Sequence, residues 1–138
     1  FLSFANVKEN TYEQARESIC RIIQELYNKN IFLLHTDLLT DNEKEEYKQI
    51  STKMNDSMIS DAIRKMSDYL SRYYGKKTII LLDEYDTPIQ EAYVGGFWPD
   101  LMGVLRSLLN STFKTNPYLE RAIMTGITRV SSGVEYGS

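Results

Sequence analysis

The feature that most constrains the fold is the apolar run "TIILL" at Thr78–Leu82, which leads directly into Asp83 and Glu84. The run is made of β-branched residues and leucine, and polar residues do not alternate with them. A strand that is covered on both faces has this pattern, and such strands are typical of parallel sheets. We therefore predict a buried parallel strand that ends at two adjacent carboxylates.

Amphipathic helices are predicted on both sides of this strand, because apolar residues recur there at spacings of three and four. Thr11 and Asp56 are suited to the N-caps of two of these helices, and Gly75 is suited to a C-terminal end. The predicted helices cover residues 11–27, 41–50, 56–75, 87–93 and 97–113. Further strands are predicted at residues 1–5 and 121–124, whereas 31–39 is ambiguous between a strand and a short helix.

Helices that separate buried strands imply crossover connections, and therefore a parallel sheet with helices on both faces. The length of 138 residues suits one domain with a substantial core. We predict an α/β fold with a parallel sheet flanked by helices, in a single domain that covers residues 1–138.

Net charge and the counts of cysteine and histidine limit the kinds of function that this chain can have. The net charge is −3 and no long basic run appears, so nothing in the charge pattern favours nucleic-acid binding. Cys20 is the single cysteine, which favours a reducing, cytoplasmic compartment and a role as a small core residue. His35 is the single histidine and cannot build a multi-histidine metal site. No apolar run reaches the roughly 18 residues that cross a bilayer, so we expect no membrane association.

The carboxylates at the end of the central strand have two interpretations. Acidic residues often end a strand in a surface turn and simply face water. Four apolar residues followed by Asp-Glu also match the Walker B pattern of nucleotide-hydrolysing P-loop proteins. In that chemistry Asp83 helps to hold Mg²⁺, and Glu84 polarises the attacking water as a general base. Thr125 follows the next predicted strand, and parallel strands end at one shared edge, where ligands gather.

Longer motifs favour the second interpretation. The strings "IILLDEYDTPI", "RAIMTGITRVS" and "LSFANVKENTYEQA" resemble the AAA-ATPase-like family of bacteria and archaea over nearly the whole chain. In that family a P-loop NTPase domain of the AAA/ASCE-like type often precedes a nuclease-like domain of the PD-(D/E)XK type. The resemblance implies ATP and Mg²⁺ as cofactors, with Asp83 as the magnesium residue and Glu84 as the catalytic base.

The same resemblance assigns further positions. Thr125 falls at the sensor position, and Arg129 in "TGITR" could meet a phosphate of its own subunit or of a neighbouring one, which would need a homo-oligomer. Asp86 belongs to the family string, and we expect it to hold the loop through hydrogen bonds to backbone groups. Nucleic acid would be a partner only through the nuclease-like domain, which these residues do not contain.

The sequence departs from the family in one respect: nothing in it fits G-x-x-x-x-G-K-[ST], the loop that cradles phosphates. The family places that loop upstream of Phe1, so we interpret the chain as a fragment with the Walker B and sensor strands. We expect the fragment alone neither to hydrolyse ATP nor to bind it tightly. A degenerate relative without any P-loop is the other interpretation.

Two rival functions remain open at this stage. A metal-dependent nuclease site could use Asp83, Glu84 and Asp86, or Asp37 with the triplet Glu46–Lys48, although this triplet falls in a charged helix. A non-catalytic NTPase-like module could instead bind or regulate a partner through the turn "VGGFWPD" at residues 94–100 or through the tail after Arg129. Phe97 and Trp98 of this turn are predicted to begin the core stripe of the last helix, and an exposed tryptophan would indicate a partner surface.

Overall fold

In the computed structural model, which describes residues 1–126, helices and strands alternate in the order expected from the sequence. The strands are β1 (Leu2–Ser3), β2 (Thr78–Asp83) and β3 (Leu119–Met124). The α-helices are α1 (Tyr12–Lys29), α2 (Asp41–Lys48), α3 (Asp56–Tyr74), α4 (Thr87–Gly95) and α5 (Trp98–Leu109). A 3₁₀-helix (Ile31–His35) and a π-helical turn (Asn110–Lys114) complete them.

The strands form one sheet in the order β1-β2-β3, and both pairs are parallel. Ser3 lies opposite Asp83, and Leu82 lies opposite Met124. The carboxyl ends of all three strands therefore meet at one edge, with β2 in the centre. The predicted α/β class and parallel sheet are confirmed.

The two faces of the sheet differ, and here the sequence prediction was wrong. Ile80 and Leu82 belong to the hydrophobic core, and Ala122 of β3 is buried as well. The neighbouring side chains point away from it: Ile79 is 61% exposed and Ile123 is 50% exposed. Among the described residues the helices cover one face of the sheet, not both. The continuous apolar run reflects apolar residues on both faces of β2, of which this part of the chain covers only one.

The helix ends follow local hydrogen-bonding rules. The Thr11 side chain accepts a hydrogen bond from the backbone N–H of Gln14 and caps α1, as predicted. Helix α3 is capped by Asn55 rather than by Asp56, because the Asn55 carboxamide oxygen lies 2.9 Å from the N–H of Met58. Gly75 ends α3 with a φ of 67°, a left-handed conformation that glycine adopts without strain.

The larger differences from the predicted elements concern three segments. The ambiguous segment at 31–39 is a 3₁₀-helix that ends at His35, and Thr40 then caps α2 with a capping box. Strand β1 has only two residues, although Phe4 extends its hydrogen bonding to the carbonyl of Asp83 at 2.9 Å. The predicted helix at 97–113 is divided into α5 and the π-helical turn.

The single cysteine and the single histidine do not form a site. Cys20 is fully buried in the core, and this burial raises the pKa of its thiol, so its predicted role as a core residue is confirmed. His35 is exposed at the end of the 3₁₀-helix. Among residues 1–126, no helix combines the length and the apolar character needed to cross a bilayer.

Helices α2 and α3 are joined by a cluster of charged groups around Arg72. Its guanidinium donates to both carboxylate oxygens of Glu43, at 2.9 and 2.5 Å, and to both oxygens of Asp68 at 3.0 Å. Glu43 also accepts from the backbone N–H of Thr40 in the capping box. The hydrogen bonds from Arg72 are the main reason why the pKa of Glu43 falls from 4.5 to about 2. Glu43 therefore links the start of α2 to the end of α3.

We expect Glu43→Gln to lower the free energy of unfolding by about 1–2 kcal/mol at pH 7, after allowance for solvent screening of this partly exposed pair. Because folding lowers the pKa of Glu43, its contribution is full above pH 4.5 and is lost as the pH falls towards 2. Urea unfolding at several pH values should show the variant and wild type converging in acid. Glu45→Gln, on the same helix but 70% exposed, should stay close to wild type throughout. A constant difference between Glu43→Gln and wild type from pH 7 to pH 2 would contradict this account.

Candidate active site at the carboxyl edge of the sheet

The polar residues that follow β2 and β3 meet at the carboxyl edge of the sheet. Hydrogen bonding between these strands continues past their ends: the N–H of Thr125 donates to the carbonyl of Leu82 at 2.9 Å. The N–H of Tyr85 then donates to the carbonyl of Thr125 at 3.1 Å. This extension of the ladder places Thr125 beside Asp83 and Glu84.

Asp83 and Thr125 are in direct contact. The Thr125 hydroxyl donates to the Asp83 carboxylate, and it accepts a hydrogen bond from the N–H of Glu84 at 3.3 Å. The threonine thus joins the side chain of one acidic residue to the backbone of the next. Asp83 is half-buried and Thr125 is exposed, so both side chains are reached from solvent.

Glu84 has an unusual backbone conformation. Its φ is 50°, and it is the only non-glycine residue in the described range with a positive φ. This left-handed conformation costs about 1–2 kcal/mol for a residue with a Cβ. Residues held in this way are concentrated at functional sites, where the surrounding structure imposes the conformation. One oxygen of the Glu84 carboxylate accepts a hydrogen bond from the Thr87 hydroxyl at 3.2 Å.

Asp86 is the third carboxylate of the motif, and it has a different environment. It is fully buried and accepts a hydrogen bond from the Gln90 side chain at 3.2 Å. Its carboxylate makes no capping bond to the backbone N–H groups of α4, all of which lie in the described range. The expected hydrogen bonds from Asp86 to the backbone of the loop stay a prediction. A Cβ added to Gly126 would lie 3.0 Å from an Asp86 oxygen and 2.9 Å from the Tyr85 ring. The end of β3 therefore packs directly on this loop.

The burial of Tyr85 has an electrostatic consequence. Burial first, and the charge of Asp86 second, raise the pKa of its phenol. A phenol is neutral at physiological pH even without this shift, and the partly buried Tyr85 ring packs against the core.

The residues proposed for a nuclease site do not form a metal-ligand cluster. Within residues 1–126, no group of three or more His, Cys, Asp or Glu side chains is arranged to hold a metal ion. Glu46 instead forms an ion pair with Lys65 at 3.1 Å, and Lys48 forms one with Glu45 at 3.5 Å, both on the surface. The triplet Glu46–Lys48 thus belongs to a solvated helix face.

The chain matches one protein-family model over nearly its whole length. A family model described as a predicted AAA-ATPase matches residues 1–133. The chain belongs to the AAA-ATPase-like family. Searches of curated proteins and of solved structures found no match. The match covers all three strands and the loop that carries Asp83 and Glu84.

The AAA-ATPase-like chain brings three of its four sequence-predicted site residues together. Asp83, Glu84 and Thr125 are linked by hydrogen bonds, as the shared strand edge predicted. Arg129, the fourth, lies outside the described residues. Asp83 offers a carboxylate and Thr125 a hydroxyl, and oxygen donors of this kind suit Mg²⁺. A site with a single carboxylate suits Mg²⁺ that keeps most of its water ligands and takes further oxygen ligands from phosphates. It does not suit a metal ion whose ligands all come from the protein.

Sequence reasoning missed two features of this edge of the sheet. It assigned no role to Thr87, and it did not predict the left-handed backbone of Glu84. The only sequence signal for a role of Thr87 was its position: it begins a predicted helix, precedes a proline and follows Glu84 by three residues. The second had no signal, because glutamate seldom adopts a positive φ.

Proposed function

We propose that this chain supplies the Walker B carboxylates and the sensor threonine of a Mg²⁺-dependent ATPase. The single observation that supports this most is the contact of Thr125 with both Asp83 and Glu84 across two neighbouring strand ends. A surface turn requires no such link between strands. The membership of the AAA-ATPase-like family supports the same function.

In this proposal Asp83 and Thr125 act together. Thr125 donates to one oxygen of Asp83 and leaves the other free of bonds to described side chains. That oxygen would face the hydration shell of Mg²⁺, which offsets the charge on the transferring phosphoryl group when it is bound. The threonine hydroxyl, held between Asp83 and the Glu84 backbone, would keep the carboxylate in one orientation.

Glu84 would act as the general base. Its carboxylate is half-exposed and next in the chain to the magnesium residue, so it can accept a proton from an attacking water. The positive φ of Glu84 takes the chain out of the extended conformation directly after β2, which ends at Asp83. Arg129 would contact a phosphate, within the subunit or across a homo-oligomer interface.

Phosphate binding would require a further element. The sequence contains no G-x-x-x-x-G-K-[ST] loop, so we propose that a P-loop elsewhere in the natural protein completes the ATP site. The present chain would then contribute the edge at which hydrolysis occurs, and it would bind ATP only weakly by itself.

The test is ATP hydrolysis by the full-length natural protein, measured as phosphate release with Mg²⁺ and with EDTA. We expect turnover only with Mg²⁺. Asp83→Asn keeps an oxygen that accepts from Thr125 but removes the charge, so we expect it to need about tenfold more Mg²⁺ for half-maximal rate. A folded protein that neither binds nor hydrolyses ATP would refute the proposal.

A second function is favoured by one observation: exposed apolar residues lie in the last turn of α4 and the first turn of α5. Tyr93 is 72% exposed, Val94 85% and Trp98 45%, whereas Phe97 packs against the core. Trp98 is therefore not part of the core stripe, in contrast to the sequence prediction. An NTPase-like module that binds a protein partner would use such a surface, and it would do so without ATP turnover.

A further inference from the structure

Thr87 makes two hydrogen bonds to Glu84 and is nearly buried. It is the first residue of α4 and is 5% exposed. Its hydroxyl donates to an Oε atom of Glu84 at 3.2 Å, and its N–H donates to the Glu84 carbonyl at 3.3 Å. One residue therefore holds both the side chain and the main chain of the proposed base.

Glu84 needs such a contact. A glutamate side chain has considerable rotamer freedom, which must be lost before its carboxylate can act from one position. In residues 1–126 the Thr87 hydroxyl is the only side-chain group that donates to this carboxylate. Thr87 engages one oxygen, so the second oxygen remains available to a water molecule.

We propose that Thr87 is a positioning residue for the Glu84 carboxylate. Its β-branched side chain is stiff and is fixed by burial at the start of α4. The hydrogen bond from its hydroxyl therefore restricts the rotamers of the Glu84 side chain. The proposal rests on the proposed ATPase function, in which Glu84 takes the proton from water.

The first test uses the chain itself and needs no nucleotide. A double-mutant cycle combines Thr87→Val with Glu84→Ala, and urea unfolding measures each variant. We expect the two effects to be non-additive, by about two- to tenfold in the unfolding equilibrium constant. Thr112→Val is the matched control, because Thr112 is equally buried but its hydroxyl has no hydrogen-bond partner among the described residues. The effects of Thr112→Val and Glu84→Ala on the free energy of unfolding should be additive. If the effects of Thr87→Val and Glu84→Ala are additive too, the proposal is overturned.

The second test uses turnover by the full-length natural protein. We expect Thr87→Val to lower kcat about tenfold with KM for ATP unchanged, and Thr87→Ser to restore most of the rate. In a Glu84→Gln background Thr87→Val should cause no further loss, and Thr112→Val should leave kcat unchanged.

The outcomes separate the two proposals. If wild type hydrolyses ATP and Thr87→Val does so equally well, the positioning role is wrong and the ATPase function stands. If wild type does not hydrolyse ATP, the proposed function is refuted, and any role of Thr87 in the reaction is refuted as well. A non-additive cycle would then still show that the hydrogen bond between Thr87 and Glu84 stabilises the fold.

Discussion

Glu84→Gln is expected to lower ATP turnover by the full-length natural protein by about 10²- to 10⁴-fold, while ATP still binds. Glutamine has the shape of glutamate, and its amide oxygen can still accept the hydrogen bond from Thr87. It cannot take a proton from water. The variant therefore removes the proton acceptance that we propose for Glu84 and leaves the loop in place.

Two measurements are needed together, phosphate release and equilibrium binding of a fluorescent ATP analogue. Glu120→Gln is the matched control, because Glu120 is an exposed glutamate near the opposite end of β3. It should hydrolyse ATP within about twofold of wild type, as surface substitutions away from a site usually do. If Glu84→Gln retains normal turnover, Glu84 is not the base, and the acidic pair is only a polar strand end.

Ile80→Ala is expected to lower the free energy of unfolding by about 2–4 kcal/mol, because it leaves a cavity in the core. Ile80 is 6% exposed and lies opposite Ala122 on the covered face of the sheet. For a chain of this size such a loss lowers Tm by about 10 °C. Urea unfolding and thermal unfolding followed by circular dichroism would both measure it.

The neighbouring residue provides the control. Ile79 has the same side chain but points to the outer face, opposite Arg121, where it is 61% exposed. Ile79→Ala should cost at most about 1 kcal/mol, mainly through lower strand propensity. Equal losses at both positions would show that the outer face is covered in solution. Repeating the measurement over a range of protein concentrations would then show whether self-association covers it.

The sequence predicted the elements that its periodicity defines. The helical stripes gave α1 and α3 with ends close to those observed, since Thr11 and Gly75 are strong local signals. The meeting of Asp83 with Thr125 was also predictable, because parallel strands present their carboxyl ends at one edge. These inferences depend on the spacing of apolar residues or on the order of strands and helices, and both can be read from a linear sequence.

Other features depend on contacts that no pattern specifies. The run Thr78–Leu82 predicted burial on both faces, but apolar residues on a face do not reveal which segment covers it. Asn55 and Asp56 are both good N-caps, and only the geometry at the start of α3 selects the first. Trp98 matched the helical stripe, yet its position in the first turn of α5 leaves it beyond the core.

The positive φ of Glu84 has a consequence for laboratory evolution of this protein. Glycine at position 84 would release the backbone strain and asparagine or aspartate would relieve part of it, whereas other substitutions with a Cβ would keep most of it. A selection for thermostability alone would therefore favour glycine there and would remove the carboxylate. A selection for turnover would retain glutamate at a cost in stability. Libraries of stabilised variants should accordingly keep position 84 fixed, because the proposed base needs a carboxylate at a position where stability favours glycine.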